Sequence, residues 1–232
     1  VPRAQIIAAG GALLLPDSGN AKLERYFLDA TGKARPRVCF VPTASGDAIE
    51  YIARFGETYG SLGVESGVLR FFRRTPEDLS EFLAGFDLIH VGGGNTMSML
   101  AVWRFWGFDA ILREALARGI VLCGSSAGSI CWFEQGITDS IAGPLVPMTA
   151  LGFLAGSHCP HYDGEALRRP TYQRLVAVGE IAPGIACDDG AAAHFIDGEL
   201  VHAVSARPSA RVYDVVRSGD TARETERETR LL

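Results

Sequence analysis

The sequence predicts an α/β fold, a doubly wound and mostly parallel sheet followed by an antiparallel β-hairpin region. Three observations carry this. Short, continuous apolar runs alternate with segments of helical apolar spacing, as strands covered by helices on both faces require. Several runs stop at glycine or proline, at Gly10-Gly11, Pro42, Gly92-Gly93-Gly94 and Gly124, where a strand gives way to a turn. After about residue 183 the helical spacing gives way to short strand-like runs, two of them joined by the hairpin dipeptide Asp197-Gly198.

In chain order, Ile6–Gly11, Arg37–Pro42, Val64–Phe72, Phe86–Val91 and Gly119–Cys123 read as the strands of the parallel body. Between them, sets such as Ile49, Ile52, Phe55 and Tyr59, or Phe108, Ile111, Leu112, Ala115 and Leu116, predict amphipathic helices. Gly184–Cys187, Ala191–Ile196, Glu199–Val204 and Arg211–Val216 form the late strands, expected as a β flap or sheet edge. Residues 1–219 read as one domain, since a chain of 232 residues closes a single core readily. Residues 220–232, rich in Arg, Glu and Thr, read as a charged tail in a frayed or solvated helix.

Composition narrows the function. Apolar residues at 47% and charged residues at 21% exclude intrinsic disorder and collagen-like structure. The net charge of −5 supplies no basic field for nucleic acid or an anionic membrane, and no window of ~18 apolar residues predicts a membrane span. Val1–Ile7 shows no signal-peptide cleavage pattern. Five scattered cysteines (Cys39, Cys123, Cys131, Cys159 and Cys187) read as buried free thiols in a reducing, cytoplasmic compartment. No CxxC or HxxxH spacing suggests a metal, and no cofactor is implied.

Open parallel sheets build sites at the carboxyl ends of their strands, and two such ends are unusual. Gly92-Gly93-Gly94-Asn95-Thr96 lets the backbone approach a ligand, offers N–H groups to an anion, and provides Asn95 or Thr96 as a helix cap. Gly124-Ser125-Ser126-Ala127-Gly128 fits G-x-S-x-G, a strand-to-helix turn that exposes Ser126 with the next N–H facing an oxyanion. A serine nucleophile needs a base, and the base an orienting acid. Of the five histidines, His90 reads as core, His202 as surface, and His194 as facing either way. His158 and His161 share the segment Ser157–Asp163, where Pro160 stiffens the backbone at His161. Asp188 and Asp189 close the Gly184–Cys187 run, giving the order Ser126, His161, Asp189, with Asp188 the other candidate acid. The order of the α/β-hydrolases would instead need Ser126, Asp163 and His194, in a chain short for that fold.

Taken in order, Val91–Thr96, Gly124–Gly128, Pro160-His161-Tyr162 and Asp188-Asp189-Gly190 resemble the peptidase E family, aspartyl dipeptidases related to cyanophycinase. Their fold is similar to that of the class I glutamine amidotransferases, and the resemblance spans about residues 4–215. It implies a serine hydrolase with Ser126 as nucleophile, His161 as general base and Asp189 as third member. It also implies an oxyanion hole from N–H groups of Gly93 or Gly94 and of Ala127. The implied substrate is a small peptide with N-terminal aspartate, cleaved without metal or cofactor. Two departures bear on this: Asp189 stands where the family usually carries Glu, and Ser125 where aspartyl-specific members often carry Trp. The segment after His161 is also compact.

An N-terminal aspartate needs a cation. Arg168 and Arg169 follow His161 most closely, although an exposed helix-start arginine paired with Glu165 is the plainer reading. Arg104, within Trp103-Arg104-Phe105-Trp106, sits among aromatics that suit a core or an oligomer contact, such as a homodimer. Asn95 and Asp139 are further pocket candidates, Asp139 reading equally as a turn. Three function classes follow: a small-peptide hydrolase, for N-terminal aspartate or with another preference; a cyanophycinase-like peptidase for β-aspartyl-arginine; and a non-catalytic binding module, which the intact Ser126, His161 and Asp189 set disfavours.

Overall fold

Strand β1 (Gln5–Ala9) sets the pattern for the centre of the molecule. Ile6 and Ala8 pack into one core layer, Ile7 and Ala9 into another, so both faces of the strand are buried under helices. The structure, a computed structural model, describes residues 3–14 and 21–232. The chain continues through α1 (Lys22–Ala30), β2 (Arg37–Val41), a 3-10 turn at Thr43–Ser45, α2 (Ile49–Ser61), β3 (Glu65–Val68) and α3 (Leu79–Ala84). Next come β4 (Leu88–Val91), α4 (Thr96–Trp106), α5 (Phe108–Ala117) and β5 (Val121–Ser125). These five strands run parallel in the order β1-β5-β4-β2-β3, the doubly wound body that the alternating runs predict.

The hairpin β10 (Ala191–Ile196) and β11 (Glu199–Ser205) joins this sheet by antiparallel pairing of β10 with β1. Asp197 and Gly198 both take positive φ, 53° and 88°, which matches the twist a two-residue hairpin loop needs.

A second, six-stranded sheet was not anticipated. After the short helix α6 (Ala127–Ile130) the chain forms β6 (Phe133–Thr138), β7 (Val146–Thr149) and β8 (Leu154–Cys159), then α7 (Arg168–Val178) and β9 (Gly184–Cys187). With β12 (Val212–Ser218) and β13 (Thr221–Glu226) the order is β13-β12-β9-β8-β6-β7. Gly136, Pro147 and Gly156 interrupt β6, β7 and β8, so no apolar run announces them. Gly184–Cys187 and Arg211–Val216, expected at the edge of the parallel sheet, pair with each other here instead. Asp188–Gly190 is the crossover between the two sheets. Tyr162, Tyr172 and Leu175 fill the core between the second sheet and α7.

Two further expectations are corrected. Residues 221–226 and 229–231 are strands, not a solvated helix: β13 pairs with β12, and β14 (Thr229–Leu231) with β11. Exposure in β13 alternates with period two, which a charged, threonine-rich segment can satisfy as an edge strand. In α2, Ile49 is 63% exposed, and the buried ridge runs through Phe55 and Tyr59. His90 is core, as predicted: it is fully buried in β4 and bonded to the Tyr59 hydroxyl at 2.9 Å, with burial lowering its pKa to about 3. All five cysteines are buried and free. Among the described residues no helix is long and apolar enough to cross a membrane, and no cluster of three metal-ligating side chains occurs.

Candidate active site

The carboxyl ends of β1, β4 and β5 meet at a cleft of about 460 Å³, lined among others by Gly11, Glu50, Tyr51, Gly93, Ser126 and His161. Ser126 leaves β5 at φ 57° and ψ −121°, a conformation that costs a non-glycine residue on the order of 1–3 kcal/mol. Packing beneath the turn holds it there. A Cβ on Gly124 would lie 2.3 Å from the Gly128 carbonyl oxygen, and one on Gly128 would lie 2.1 Å from that of Val91. The two motif glycines are therefore demanded by close approach of α6 to β4 and β5. The Ser126 carbonyl accepts the N–H groups of Ser129 and Ile130, both at 2.9 Å.

Gly93 stands across from the serine: a Cβ there would be 3.2 Å from Ser126 Cβ and 3.7 Å from its Oγ. The Gly93 N–H donates to the Tyr51 hydroxyl at 3.1 Å.

His161 comes from the second sheet, on the turn after β8. Its backbone is left-handed at φ 53°, and its N–H donates to the Gly10 carbonyl at 3.2 Å, tying the turn to the end of β1. His161 Nδ1 lies 2.7 Å from Asp189 Oδ1. A carboxylate only accepts, so Nδ1 carries the proton and Nε2 is the ring nitrogen left for another partner. The hydrogen bond from His161 holds the Asp189 carboxyl below the ordinary carboxylate range, against the opposing effect of burial, and the charges of His161 and Arg207 add to it.

The room for this pair comes from two glycines. A Cβ on Gly11 would sit 2.2 Å from Asp189 Oδ1 and 2.4 Å from His161 Cε1, and one on Gly164 would sit 2.2 Å from Asp189 Oδ2. Asp163 fixes the Asp189 backbone, accepting its N–H at 2.7 Å on one oxygen and Arg207 at 2.8 Å on the other. Asp189 thus reaches the imidazole from a backbone that Asp163 holds.

Between the two candidate acids the geometry is unequal. Asp188 is buried, accepts the Arg211 N–H at 2.9 Å and the Tyr213 hydroxyl at 3.4 Å, and is pushed up in pKa by burial. It belongs to the second sheet, not to the cleft. His158 is also buried, stacked on Phe133 and bonded to the Ile185 carbonyl and the Ser129 hydroxyl, both at 3.0 Å. Burial lowers its pKa to about 3. His194 spends both ring nitrogens on Tyr26 and Gln5, at 2.8 and 3.1 Å, while Asp163 holds Asp189 and Arg207. A Ser126, Asp163, His194 arrangement is therefore overturned. His202 is exposed, as expected.

The predicted specificity residues stand elsewhere. Asn95 caps α4, accepting the Ser98 N–H at 2.9 Å and donating to the Ser140 carbonyl at 3.0 Å, so its amide is committed to structure. Arg168 is 2% exposed rather than on the surface, bonded to Glu165 at 2.6 Å and the Ile137 carbonyl at 3.3 Å, with Asp139 at 3.5 Å. Arg169 pairs with Glu224 and covers the rings of Tyr162 and Tyr213. Arg104 donates to the Ala150 carbonyl at 3.3 Å, and of the aromatics around it Trp103 is core while Phe105 is 86% exposed. None of these side chains lines the cleft. Glu50, Tyr51 and Arg54 do, from the first turns of α2. Sequence reading missed all three. The available signal was Tyr51 standing four residues before Phe55, on the same helical ridge.

A serine on a strained strand-to-helix turn, sharing a cleft with an imidazole bonded to a carboxylate, is the architecture of a serine-type hydrolase. The family model for Peptidase family S51 matches residues 6–203. The chain belongs to that family of serine-type peptidases. It is 48% identical over 212 residues to the uncharacterized peptidase YgaJ of Bacillus subtilis (strain 168), covering 91% of this chain and 92% of the relative. It is 27% identical over 148 residues to the uncharacterized peptidase Lin0382 of Listeria innocua, covering 60% and 70%. Two crystal structures share the fold. One is a putative peptidase E protein from Listeria monocytogenes EGD-e (TM-score 0.64, 20% identity, 86% of this chain and 97% of that one). The other is a peptidase from an acI-B1 Actinobacterium (TM-score 0.70, 16% identity, 96% and 94%).

Proposed function

We propose that this peptidase removes the N-terminal residue of small peptides, aspartate above all, through a Ser126, His161, Asp189 triad. The observation that carries the reading is the 2.7 Å contact of His161 with Asp189 at the cleft that Ser126 also lines. His161 Nε2 accepts the Ser126 hydroxyl proton as Oγ attacks the scissile carbonyl, and Asp189 stabilises the imidazolium. The tetrahedral oxyanion is met by donors at Ala127 and on the Gly93–Gly94 side. As the C–N bond breaks, His161 passes the proton to the leaving amine, and water then repeats the sequence on the acyl-enzyme.

With Arg168 and Arg169 committed elsewhere, Arg54 is the arginine lining the cleft, and it is assigned to the aspartyl carboxylate. Glu50, one helical turn away on α2, is assigned to the substrate ammonium. A cleft of about 460 Å³ lies in the range of small-molecule sites, roughly 300–1,000 Å³.

The test is release of p-nitroaniline from aspartyl-, alanyl- and leucyl-p-nitroanilide by the parent, Ser126→Ala and Arg54→Leu. Aspartyl-selective turnover that vanishes in Ser126→Ala is expected, with Arg54→Leu raising KM for the aspartyl substrate at least ~10-fold relative to the alanyl one. Turnover surviving in Ser126→Ala would overturn the nucleophile. Equal KM changes on all substrates would overturn the role of Arg54.

A further inference from the structure

The glycine triplet after β4 does more than turn the chain. A Cβ on Gly92 would come 2.8 Å from Tyr51 Cε1, so the absence of a side chain there admits the Tyr51 ring to the cleft. Phe40 packs edge-on against that ring, centroids 5.2 Å apart at 85°, and α2 carries its backbone. The phenol is thus held from two sides. Its oxygen receives the Gly93 N–H, the donor that would otherwise face the reacting carbonyl, and it lines the same cleft as Ser126 and His161. Burial raises the Tyr51 pKa, so the hydroxyl keeps its proton at neutral pH.

Resting on the serine-peptidase reading above, we infer that Tyr51 is a catalytic residue: its O–H, polarised by the Gly93 N–H behind it, is the second oxyanion donor opposite the Ala127 N–H. A donor that itself accepts a hydrogen bond becomes a better donor. In this arrangement Gly93 acts on the oxyanion through Tyr51. No proton leaves the phenol; the hydrogen bond strengthens as the carbonyl oxygen gains charge and relaxes when the tetrahedral intermediate collapses. The competing possibility is that the phenol oxygen merely plugs the hole, and the two make opposite predictions for its removal.

The experiment compares the parent with Tyr51→Phe, using aspartyl-p-nitroanilide turnover and binding of an aspartyl boronic acid, whose tetrahedral adduct on Ser126 fills the oxyanion position. Loss of one oxyanion donor is worth about 10²–10³-fold in kcat. We expect that loss with KM within about threefold, and boronate affinity falling in parallel while the affinity for free aspartate stays put. A rate that is unchanged or faster in Tyr51→Phe overturns the assignment. Should Tyr51→Phe fail to fold, p-aminophenylalanine at position 51 keeps an N–H donor. Retention of more than about a tenth of the parent rate then supports the role, and loss to the Ser126→Ala level overturns it. A parent that neither turns over the anilide nor binds the boronate would instead remove the serine-peptidase reading, and this inference with it.

Discussion

The eight-stranded sheet and the six-stranded sheet reach the cleft by different means. The first delivers Ser126 and the Gly93 backbone from the ends of adjacent parallel strands, where ladder pairing of β4 with β5 brings Val91 opposite Gly124. Glycine contacts with backbone lock that arrangement. The second delivers His161 and Asp189 from turns 28 residues apart in sequence, held by side-chain bonds through Asp163 and Arg207 and by empty space at Gly11 and Gly164. A serine set in a backbone frame tolerates little substitution around it. A histidine–aspartate pair set by side chains and space can be displaced while the fold survives.

That contrast can be broken deliberately. The largest effect is expected from His161→Ala, which removes the proposed base and should lower kcat/KM by at least 10²–10⁴-fold without shifting the thermal midpoint by more than a few degrees. The paired control is His158→Ala, three residues away, which empties a fully buried, hydrogen-bonded site and destabilises the protein itself. If the two variants lose stability alike, the division between the halves is wrong.

Next comes Gly11→Ala. Its Cβ would displace Asp189 Oδ1 and the His161 ring rather than any backbone, so kcat should fall ~10²-fold or more in a protein that melts near the parent. The same methyl at Gly128 would strike the Val91 backbone and should cost folding. Soluble yield and circular dichroism of the two variants, measured side by side, separate these outcomes.

A smaller effect belongs to Asp163. Asp163→Ala frees the Asp189 backbone and Arg207 and should lower kcat about 10-fold, whereas Asp163→Asn keeps an acceptor for the Asp189 N–H and should recover most of it. Equal losses in both would mean that the charge toward Arg207 matters more than the backbone grip.

The mildest test is acid stability. His90 and His158 have pKa values lowered to about 3 and His194 to about 4, by burial first in each case. Unfolding returns them to the ordinary value near 6.5, so between pH 4 and 6 these three rings bind more protons in the unfolded chain. Their share of the stability falls as pH falls, while the carboxyls of Glu24, Asp47 and Asp188, raised by burial, act in the opposite sense. Urea midpoints of the parent should therefore fall more steeply with falling pH through this window than those of His194→Gln, the difference amounting to up to one proton. Asp189 works the other way. Its depressed pKa stabilises the fold above the ordinary carboxylate value and is lost only as pH falls through the lower folded value, beneath the histidine window. Identical pH dependence in the parent and His194→Gln would contradict the burial of that ring.

The sequence by itself determined the parallel body, the β10–β11 hairpin and the serine turn, because each is written in local chemistry: continuous apolar runs, Asp197-Gly198 with positive φ, and glycines where helix meets strand. It also marked His161 and the pair Asp188 and Asp189. Tertiary structure alone decided between those two carboxylates, since residues one apart point to opposite sides and only the crossover between sheets shows which side holds the imidazole. It likewise turned Arg168 inward to Glu165 and Asp139, spent Asn95 as a cap, and drew Glu50, Tyr51 and Arg54 to the cleft. The second sheet stayed hidden for the same reason: strands interrupted by Gly136, Pro147 and Gly156 carry little local preference and are made by their partners. Local propensity is a property of neighbours in the chain, whereas a cleft is a property of segments that meet only after the two sheets have packed.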